Sequence, residues 1–365
     1  MSAPLKGVTV VEAANYVSGG WAGMQLADLG ADVIKVEPPT GDPYRRFTGL
    51  DPSPHWMAVN RGKRNEVVDL KTPEGVTRLV ELVGNADVFL SNWRPDVAER
   101  LGIGDAVLAA RNPALIRLWI TGWGPSGPAA NLPAFDMVLQ ARAGLIDAAS
   151  RNGHLEVLAG YPVDKATSTF AVQSIVAALF ARERGAGGER IDLAMLDVTA
   201  YFDFPDLLTS RVLVDEAPAD AHSQNATTVR TLPASDGAFV IAPVSGAQIK
   251  GSCRAVGHPE WATELFAAPD RVMDLMVQRF TPVTAGEPLQ LWLDRFAEHD
   301  VPAAPCLTID EHLSDPQVVH NGVYAVDDVP GVGRVRSVRY PAQASSWGRL
   351  ASGPPPMQLP KRDAE

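Results

Sequence analysis

Short β-rich runs alternate with helical patterns through the first half of the chain. The runs Val8 to Glu12 and Asp32 to Glu37 have the length and composition of buried strands. Between them, residues 19–29 form a helical pattern that ends at Gly30, a residue suited to the position after a helix. Because a strand, a helix and a strand at this spacing form a βαβ unit, the pattern predicts two parallel strands.

The same alternation continues along the chain. It predicts a helix over residues 73–83 and strands over residues 86–90, 115–121 and from 190 onwards. Residues 168–184 carry apolar side chains on nearly every helical face, which predicts a buried helix. Repeated alternation of this kind favours an α/β fold with a Rossmann-like, doubly wound parallel sheet.

The character of the sequence changes after residue 214. Residues 215–230 are polar and rich in turn formers, and we interpret residues 215–225 as a linker. Asp236-Gly237 stands between two β-like runs and predicts a hairpin, and helical patterns follow. This part of the chain therefore predicts a smaller α+β domain over residues 226–314.

Composition narrows the class of protein. Apolar residues make up 46% of the 365 residues and charged residues 21%, as in globular domains, and no apolar run is long enough to span a bilayer. The N-terminus lacks the pattern of a signal peptide, and two cysteines, Cys253 and Cys306, cannot form a disulfide framework. These features predict a cytoplasmic protein.

The net charge of −11 argues against a nucleic-acid partner or an anionic membrane surface. A phosphorylated ligand stays compatible with it, because a local basic cluster can hold an anion. No P-loop, GxSxG elbow or HExxH motif is present in the sequence, and the seven histidines lack ligand spacing, so we expect no metal site.

Basic residues suggest where an anion could bind. Arg61, Lys63 and Arg64 lie in NRGKR, with Lys71 shortly after; Arg94 and Arg100 lie in SNWRPDVAERLG. From the residues alone, such groups are either solvated surface or a phosphate site. Similarly, the small residues Ser18-Gly19-Gly20 after the first strand form either a tight turn or a close approach of backbone to a ligand.

Two aspartates stand near predicted helix starts. Asp164, in LAGYPVDKATSTF, precedes the apolar helix, and Asp136, in PAFDMVLQA, precedes a helix over residues 137–143. Since Asp is a preferred N-cap residue, both could be caps. Both could also be functional carboxylates.

The motifs taken together resemble the family III CoA-transferases, the CaiB/BaiF group. The resemblance rests on PLKGVTVVEAANYVSGGWAGMQLADLGADVIKVEPPTGDPYRR, on NRGKR followed by DLK, on GWGPSG, on VDK ahead of ARERGAGGERIDLAMLD, and on VPAAPCLTIDEHLSDPQVVHNG. It covers most of residues 4–345. It implies a large domain from residues 1–214 and 315–365, an interlocked homodimer, an acyl-CoA donor and a carboxylic acid acceptor.

The resemblance also implies roles for individual residues. Asp164 would be the nucleophile, attacking the thioester to form a mixed anhydride and then an aspartyl-CoA thioester, with Asp136 supporting it. A helix N-terminus beside Asp164 would favour its ionised form and offer N–H groups to oxyanions. The coenzyme A contacts would be Tyr16, Val17, Ser18, Arg61, Lys63, Arg64, Lys71, Asn92, Trp93, Arg94, Arg100 and Phe135.

Three departures from the family pattern bear on function. Phe135 stands where the racemase branch has His, which favours transfer of CoA over racemisation. The region HSQNATTVRTLPASDG lacks the glycine run that covers the intermediate in some transferases, and Pro38 stands where some members have Arg. The alternatives are therefore an acyl-CoA racemase or epimerase, and a non-catalytic CoA-binding homologue.

Overall fold

The computed structural model describes residues 3–149, 154–208, 212–215, 231–350 and 353–356. The chain forms two compact units. The first consists of Met1–Asp203 and Asn321–Glu365, and the second of Phe204–His320. Of the predicted linker, only Asp215 is among the described residues. Most of HSQNATTVRTLPASDG, the segment that lacks a glycine run, also lies outside them. The predicted domain boundaries stay a prediction.

A six-stranded parallel sheet forms the centre of the first unit. The order of the strands is β3-β2-β1-β4-β5-β6, and every neighbouring pair is parallel. This confirms the predicted α/β, Rossmann-like sheet. The strands are β1 (Thr9–Ala13), β2 (Asp32–Glu37), β3 (Arg64–Val67), β4 (Val88–Ser91), β5 (Ile116–Thr121) and β6 (Arg190–Ala194).

Helices connect these strands, and local signals explain several of their ends. Thr72 accepts a hydrogen bond from the backbone N–H of Gly75 and Pro73 is the first helical residue, so a helix begins there. Gly30, with φ of 98°, follows the first helix as expected. The helices are α1 (Ser18–Asp28), α2 (Pro54–Asn60), α3 (Pro73–Gly84), α4 (Pro95–Arg100), α5 (Asp105–Arg111), α6 (Asp136–Arg142), α7 (Leu145–Ala149), α8 (Pro162–Glu183) and α9 (Met195–Leu207).

The core of the first unit lies against the sheet. Val11 on β1 and Phe89 on β4 pack with Leu79, Ile103 and Trp119 from the surrounding elements. Every residue of β4 and β5 is buried, as expected for central strands of a sheet covered on both faces.

Helix α8 differs from its prediction in start and in burial. It begins at Pro162 because Pro fits the first helical position, where its missing N–H is not needed. The prediction that it is buried on nearly every face is wrong for the single chain. Ala171 and Ile175 are fully buried, but Val176 is 38% exposed and Phe180 63% exposed.

The second unit is the smaller α+β domain. The strands β7 (Leu232–Ala234), β8 (Gly237–Ile241) and β9 (Ala303–Pro305) form an antiparallel sheet, in which β7 and β8 are the predicted hairpin. Its core contains Phe239 and Trp292. The remaining helices are α10 (Gly246–Ala255), α11 (Trp261–Ala267), α12 (Val272–Thr284), α13 (Leu289–Glu298), α14 (Ile309–Ser314) and α15 (Pro316–Asn321).

The C-terminal segment returns to the first unit. It forms two hairpins, β10 (Tyr324–Val329) with β11 (Gly333–Val338), and β12 (Gln343–Ala344) with β13 (Gly348–Arg349). The carbonyl of Pro354 then accepts a hydrogen bond from the Gly62 N–H at 3.0 Å. Over the described parts of the chain, no helix combines the length and apolar character that crossing a membrane requires.

Candidate active site

A cavity of about 430 Å³ opens at the carboxyl ends of β1, β4, β5 and β6. The strand order reverses between β1 and β4, which is where open α/β sheets bind ligands. The start of α8 reaches the same cavity. Of the residues that the sequence indicates, the following line it: Tyr16, Ser18, Asn92, Trp93, Arg94, Arg100, Phe135 and Asp164.

Hydrogen bonds between two loops shape one wall of the cavity. The side chain of Asn92, just after β4, donates to the carbonyl of Asn15 at 2.7 Å and accepts from the Asn15 N–H at 3.0 Å. Tyr16, the next residue, adopts a left-handed backbone with φ of 59°. Gly19 is required here, because a Cβ at this position would overlap the Cβ of Ala14. The sequence signal of small residues therefore reflects close packing of the loop.

Asp164 is the third residue of α8 and does not occupy the cap position before the helix. Its pKa is raised to about 7, first because burial disfavours the charged form and second because the Asp136 carboxylate lies nearby. A hydrogen bond with Ser18 acts in the opposite direction. Burial and Asp136 outweigh this hydrogen bond, so the net shift favours the neutral form of Asp164, while the effect expected of the helix N-terminus stays a prediction.

Asp136 is the first residue of α6 and is buried, with 1% of its surface exposed. Its Oδ2 accepts a hydrogen bond from the backbone N–H of Asp164 at 3.0 Å. Its Oδ1 accepts from Nε2 of Gln140 at 2.5 Å. Both carboxylate oxygens of Asp136 thus have N–H donors, which fix the orientation of this side chain beside Asp164.

Aromatic rings surround the entrance to Asp164. Tyr16 packs edge-on against Phe135 with ring centroids 5.6 Å apart, and it contacts Tyr44 at 5.9 Å. Tyr44 is buried and is hydrogen-bonded to Tyr161, and its pKa is raised by burial and by nearby Asp164 among other groups. These rings make the site apolar, which is consistent with the raised pKa of Asp164.

Arg94 and Arg100 also line the cavity and bring positive charge to it. Arg100 has a 70% exposed side chain and only a loose ion pair with Asp96 at 3.7 Å. Its guanidinium is therefore available to an anionic ligand.

The NRGKR residues occupy other places. Arg61 is buried in an ion pair with Asp28, and Lys63 is buried with Nζ at 2.6 Å from Glu12 and 2.7 Å from the carbonyl of Gly20. Exposed Arg64 pairs with Asp32 at 2.8 Å. Exposed Lys71 donates its backbone N–H to its neighbour Asp69.

None of these four cations is among the described residues that line the cavity. Val17 also faces another way, into a buried cluster with Trp56 and Val59. The structure thus brings the Asp164 group and Arg94 and Arg100 together, and it places the NRGKR cations elsewhere.

Sequence reasoning missed a buried charge network behind the cavity. Nζ of Lys35, in the middle of β2, lies 3.1 Å from Glu12 and 2.9 Å from Asp42. Asp42 also accepts a hydrogen bond from the Tyr16 N–H at 3.4 Å. The network therefore helps to hold the left-handed turn that lines the site. A lysine inside the apolar run VIKVE was the available signal.

Gln140 was also missed, and its position in a short helix offered no signal. Within the described residues, no group of three or more His, Cys, Asp or Glu side chains is placed to hold a metal ion.

Comparison with known proteins identifies relatives over nearly the whole chain. A model of "CoA-transferase family III" matches residues 5–358. The succinate–glutarate CoA-transferase of Agrobacterium fabrum is 32% identical over 340 residues, covering 88% of this chain and 84% of that protein. The acetyl-CoA:oxalate CoA-transferase of Acetobacter aceti is 32% identical over 325 residues, covering 86% of this chain and 83% of that protein.

Solved structures agree with this result. The crystal structure of a CAIB/BAIF family protein from Brucella suis is 30% identical in sequence and matches with a TM-score of 0.84, covering 99% of this chain and 97% of that one.

Proposed function

The chain belongs to CoA-transferase family III, and from that premise we propose that it is an acyl-CoA:carboxylate CoA-transferase with Asp164 as its nucleophile. The observation that carries the proposal is the position of Asp164, which lines a cavity at the strand-order reversal together with Arg94 and Arg100. A carboxylate nucleophile and cations for a phosphorylated substrate are the two requirements of this chemistry.

The reaction would proceed through two covalent states of Asp164. A carboxylate oxygen of Asp164 attacks the thioester carbonyl of the donor, the C–S bond breaks, and CoA leaves as a thiolate from the resulting mixed anhydride. The thiolate attacks the Asp164 carbonyl of that anhydride, releasing the donor acid as a carboxylate and leaving an aspartyl-CoA thioester. An acceptor carboxylate repeats the steps in reverse and regenerates the Asp164 carboxylate.

The environment of Asp164 suits this role. Burial and the charge on Asp136 raise its pKa to about 7, so at alkaline pH it is ionised and more basic than an ordinary aspartate. The apolar rings of Tyr16 and Phe135 would shield the anhydride from water. Ser18, at the start of α1, would lie beside the reacting carbonyl.

We propose that coenzyme A is held mainly by the loop after β4. Arg94 and Arg100 would bind its phosphates, and Asn92 and Trp93 would line the path to Asp164. Arg64 and Lys71, which are exposed, would act only on parts of the ligand outside the cavity. We assign Arg61 and Lys63 to the fold, because Asp28 and Glu12 already engage their charges.

Phe135 argues against the racemase alternative. Removal and return of an α-proton need a base on each face of the substrate, and a phenylalanine cannot serve as one. The other alternative, a CoA-binding protein without catalysis, predicts a different result in the activity experiment.

The proposal is tested by mixing the purified chain with succinyl-CoA or acetyl-CoA and with glutarate or oxalate, and by following the acyl-CoA species by liquid chromatography. A new acyl-CoA is expected with at least one pair, and Asp164→Asn should lower the rate by at least about a thousandfold. The matched control is Asp310→Asn, because Asp310 also lies in a first helical turn but is exposed.

Two other outcomes would contradict the proposal. Uptake of deuterium at the α-carbon without an acceptor acid would indicate a racemase. Binding of CoA without turnover of any pair, unchanged by Asp164→Asn, would indicate a binding protein.

The quaternary structure is part of the proposal. Large apolar side chains are exposed on α8 and α9, where Phe180, Tyr201 and Phe202 are 63%, 72% and 60% exposed. These exposed side chains support a homodimer, and the family resemblance implies that it is interlocked. The molar mass from light scattering tests this. A cytoplasmic location stays the prediction from the sequence.

A further inference from the structure

Gln140 connects three elements around the candidate nucleophile. It is fully buried, with 0% of its surface exposed, and it lies one helical turn after Asp136 on α6. Its Nε2 donates to Oδ1 of Asp136 at 2.5 Å and to the carbonyl of Leu158 at 3.3 Å, and its Oε1 accepts from the Leu158 N–H at 2.9 Å. One side chain thus ties the segment that enters α8 to the carboxylate beside Asp164.

Asp136 is in turn hydrogen-bonded to the backbone of the proposed nucleophile, Asp164. While Gln140 occupies Oδ1, Oδ2 accepts the backbone N–H of Asp164 at 3.0 Å. Both oxygens of Asp136 therefore accept N–H groups, which fixes the orientation of its carboxylate against the first turn of α8.

We infer that Gln140 is a positioning residue for the transfer reaction: its amide orients the Asp136 carboxylate, which holds the backbone N–H of Asp164 and so fixes the start of α8. This inference rests on the proposed function of Asp164. Gln140 itself is fully buried and is not among the described residues that line the cavity.

Other groups that face Asp164 do not substitute for this connection. Ser18 from α1 hydrogen-bonds to it, and Tyr44 with its partner Tyr161 lies beside it. Arg94, Asp96 and Arg100 also line the cavity. The raised pKa of Asp164, with burial and Asp136 as its causes, agrees with an Asp136 carboxylate held close to it.

The first test is Gln140→Met, which preserves size and removes both the donor and the acceptor. For the full-length protein at alkaline pH, where Asp164 is ionised, kcat should fall at least about tenfold, because the start of α8 is no longer held in place. The KM for acyl-CoA should stay within about twofold, because the cavity walls are untouched. In protein labelled with ¹³C at aspartate Cγ, with signals assigned by Asp164→Asn and Asp136→Asn, the midpoint of the Asp164 titration should fall below pH 7, because the Asp136 carboxylate is no longer held beside it.

The matched control is Asn112→Leu. Asn112 also ties backbone segments together in the first unit, donating to the carbonyls of Val83 and Ala86 and accepting from the Ala114 N–H. It should lower stability without moving the aspartate titration. If Gln140→Met behaves in the same way, with Asp164 still titrating near pH 7 and kcat unchanged, Gln140 has a structural role only and the inference is overturned.

A second variant covers the case in which Gln140→Met does not fold. Gln140→Glu keeps the shape and the acceptor for the Leu158 N–H but removes the amide donor to Asp136. Its kcat at alkaline pH should therefore fall by a similar factor, and an unchanged kcat would overturn the inference. If the wild type transfers no CoA, the proposed function fails, and the Asp164 titration in Gln140→Met still decides whether Gln140 positions Asp136 against Asp164.

Discussion

Oδ2 of Asp136, the first residue of α6, accepts a hydrogen bond at 3.0 Å from the backbone N–H of Asp164 in the first turn of α8. The acceptor at the start of α8 therefore comes from α6, since Tyr161 before the helix has no short polar side chain to fold back on the first turn. The same carboxylate caps the helix and repels charge on Asp164. Stabilisation of the fold and adjustment of the nucleophile thus depend on one side chain.

The first prediction concerns the pH dependence of activity. Because the pKa of Asp164 is about 7 and its ionised form is the nucleophile, kcat/KM should rise with pH through this value and level off above it. Asp136→Asn removes the like charge but keeps an oxygen that can accept the Asp164 N–H. The midpoint should then move down by about one unit or more, with burial still keeping it above that of an ordinary aspartate. A midpoint unchanged by Asp136→Asn in pH-rate measurements would contradict this.

The second prediction concerns stability. Asp164 has a pKa of about 7 in the folded chain, against about 3.9 for an ordinary aspartate, so between these values the folded state binds more protons than the unfolded state. The free energy of unfolding therefore falls as pH rises through this window, and at higher pH the ionised Asp164 destabilises the fold. Asp164→Asn should therefore stabilise the protein by about 1–3 kcal/mol at pH 8 and by little at pH 4.

Thermal unfolding of wild type and Asp164→Asn at the two pH values measures this difference. Asp310→Asn, at an exposed position, should show no such dependence on pH. A stability difference of the same size at both pH values would mean that burial does not act on the charge of Asp164.

The third prediction separates cations that bind the ligand from cations that hold the fold. Arg100→Ala should weaken CoA binding about tenfold or more without changing the melting temperature, since its side chain is exposed in the cavity. Lys63→Met should lower the melting temperature, because it leaves buried Glu12 without one of its two cations. Calorimetric titration with CoA and thermal unfolding of both variants test this prediction. A loss of CoA affinity in folded Lys63→Met would mean that Lys63 binds the ligand.

The fourth prediction concerns glycines on α1. A Cβ on Gly23 would overlap Oε2 of Glu12, which is fully buried, so Gly23→Ala should destabilise the protein by about 2 kcal/mol or more. Gly20→Ala on the same helix is the control, because its Cβ would lie 3.4 Å from Val59, in ordinary contact. It should be neutral or slightly stabilising, since alanine favours a helix. Equal unfolding midpoints for the two variants in urea would disprove the packing described for Gly23.

Much of the fold follows from local features of the sequence. The first βαβ unit is encoded in neighbouring residues, with Gly30 ending one helix and Thr72 and Pro73 starting another. The start of α8 was predicted six residues too late, although Pro162 was a local signal for it. The exposure of Phe180 could not be predicted, because apolar residues on all faces indicate burial without saying what covers them.

The site was predictable in part. Recognisable segments allowed the prediction of four of its residues, Asp164, Asp136, Arg94 and Arg100. The structure places Asp164 beside Asp136. The partners of Lys63 could not be identified from its neighbours in NRGKR, since Glu12 is distant in sequence. The direction of the pKa shift of Asp164 also needed the fold, because burial and Asp136 raise the pKa while a hydrogen bond with Ser18 lowers it, and all three depend on the folded structure.

If Asp164 carries the covalent intermediate, mass spectrometry of the intact protein will detect it there. The chain is mixed with an acyl-CoA donor in the absence of an acceptor, quenched, treated with borohydride or hydroxylamine, and mapped by peptide sequencing. We expect a CoA-sized adduct before trapping and a modification at Asp164 after it, both missing from Asp164→Asn. A modification that maps to another residue, or turnover of donor and acceptor with Asp164 never modified, would contradict it.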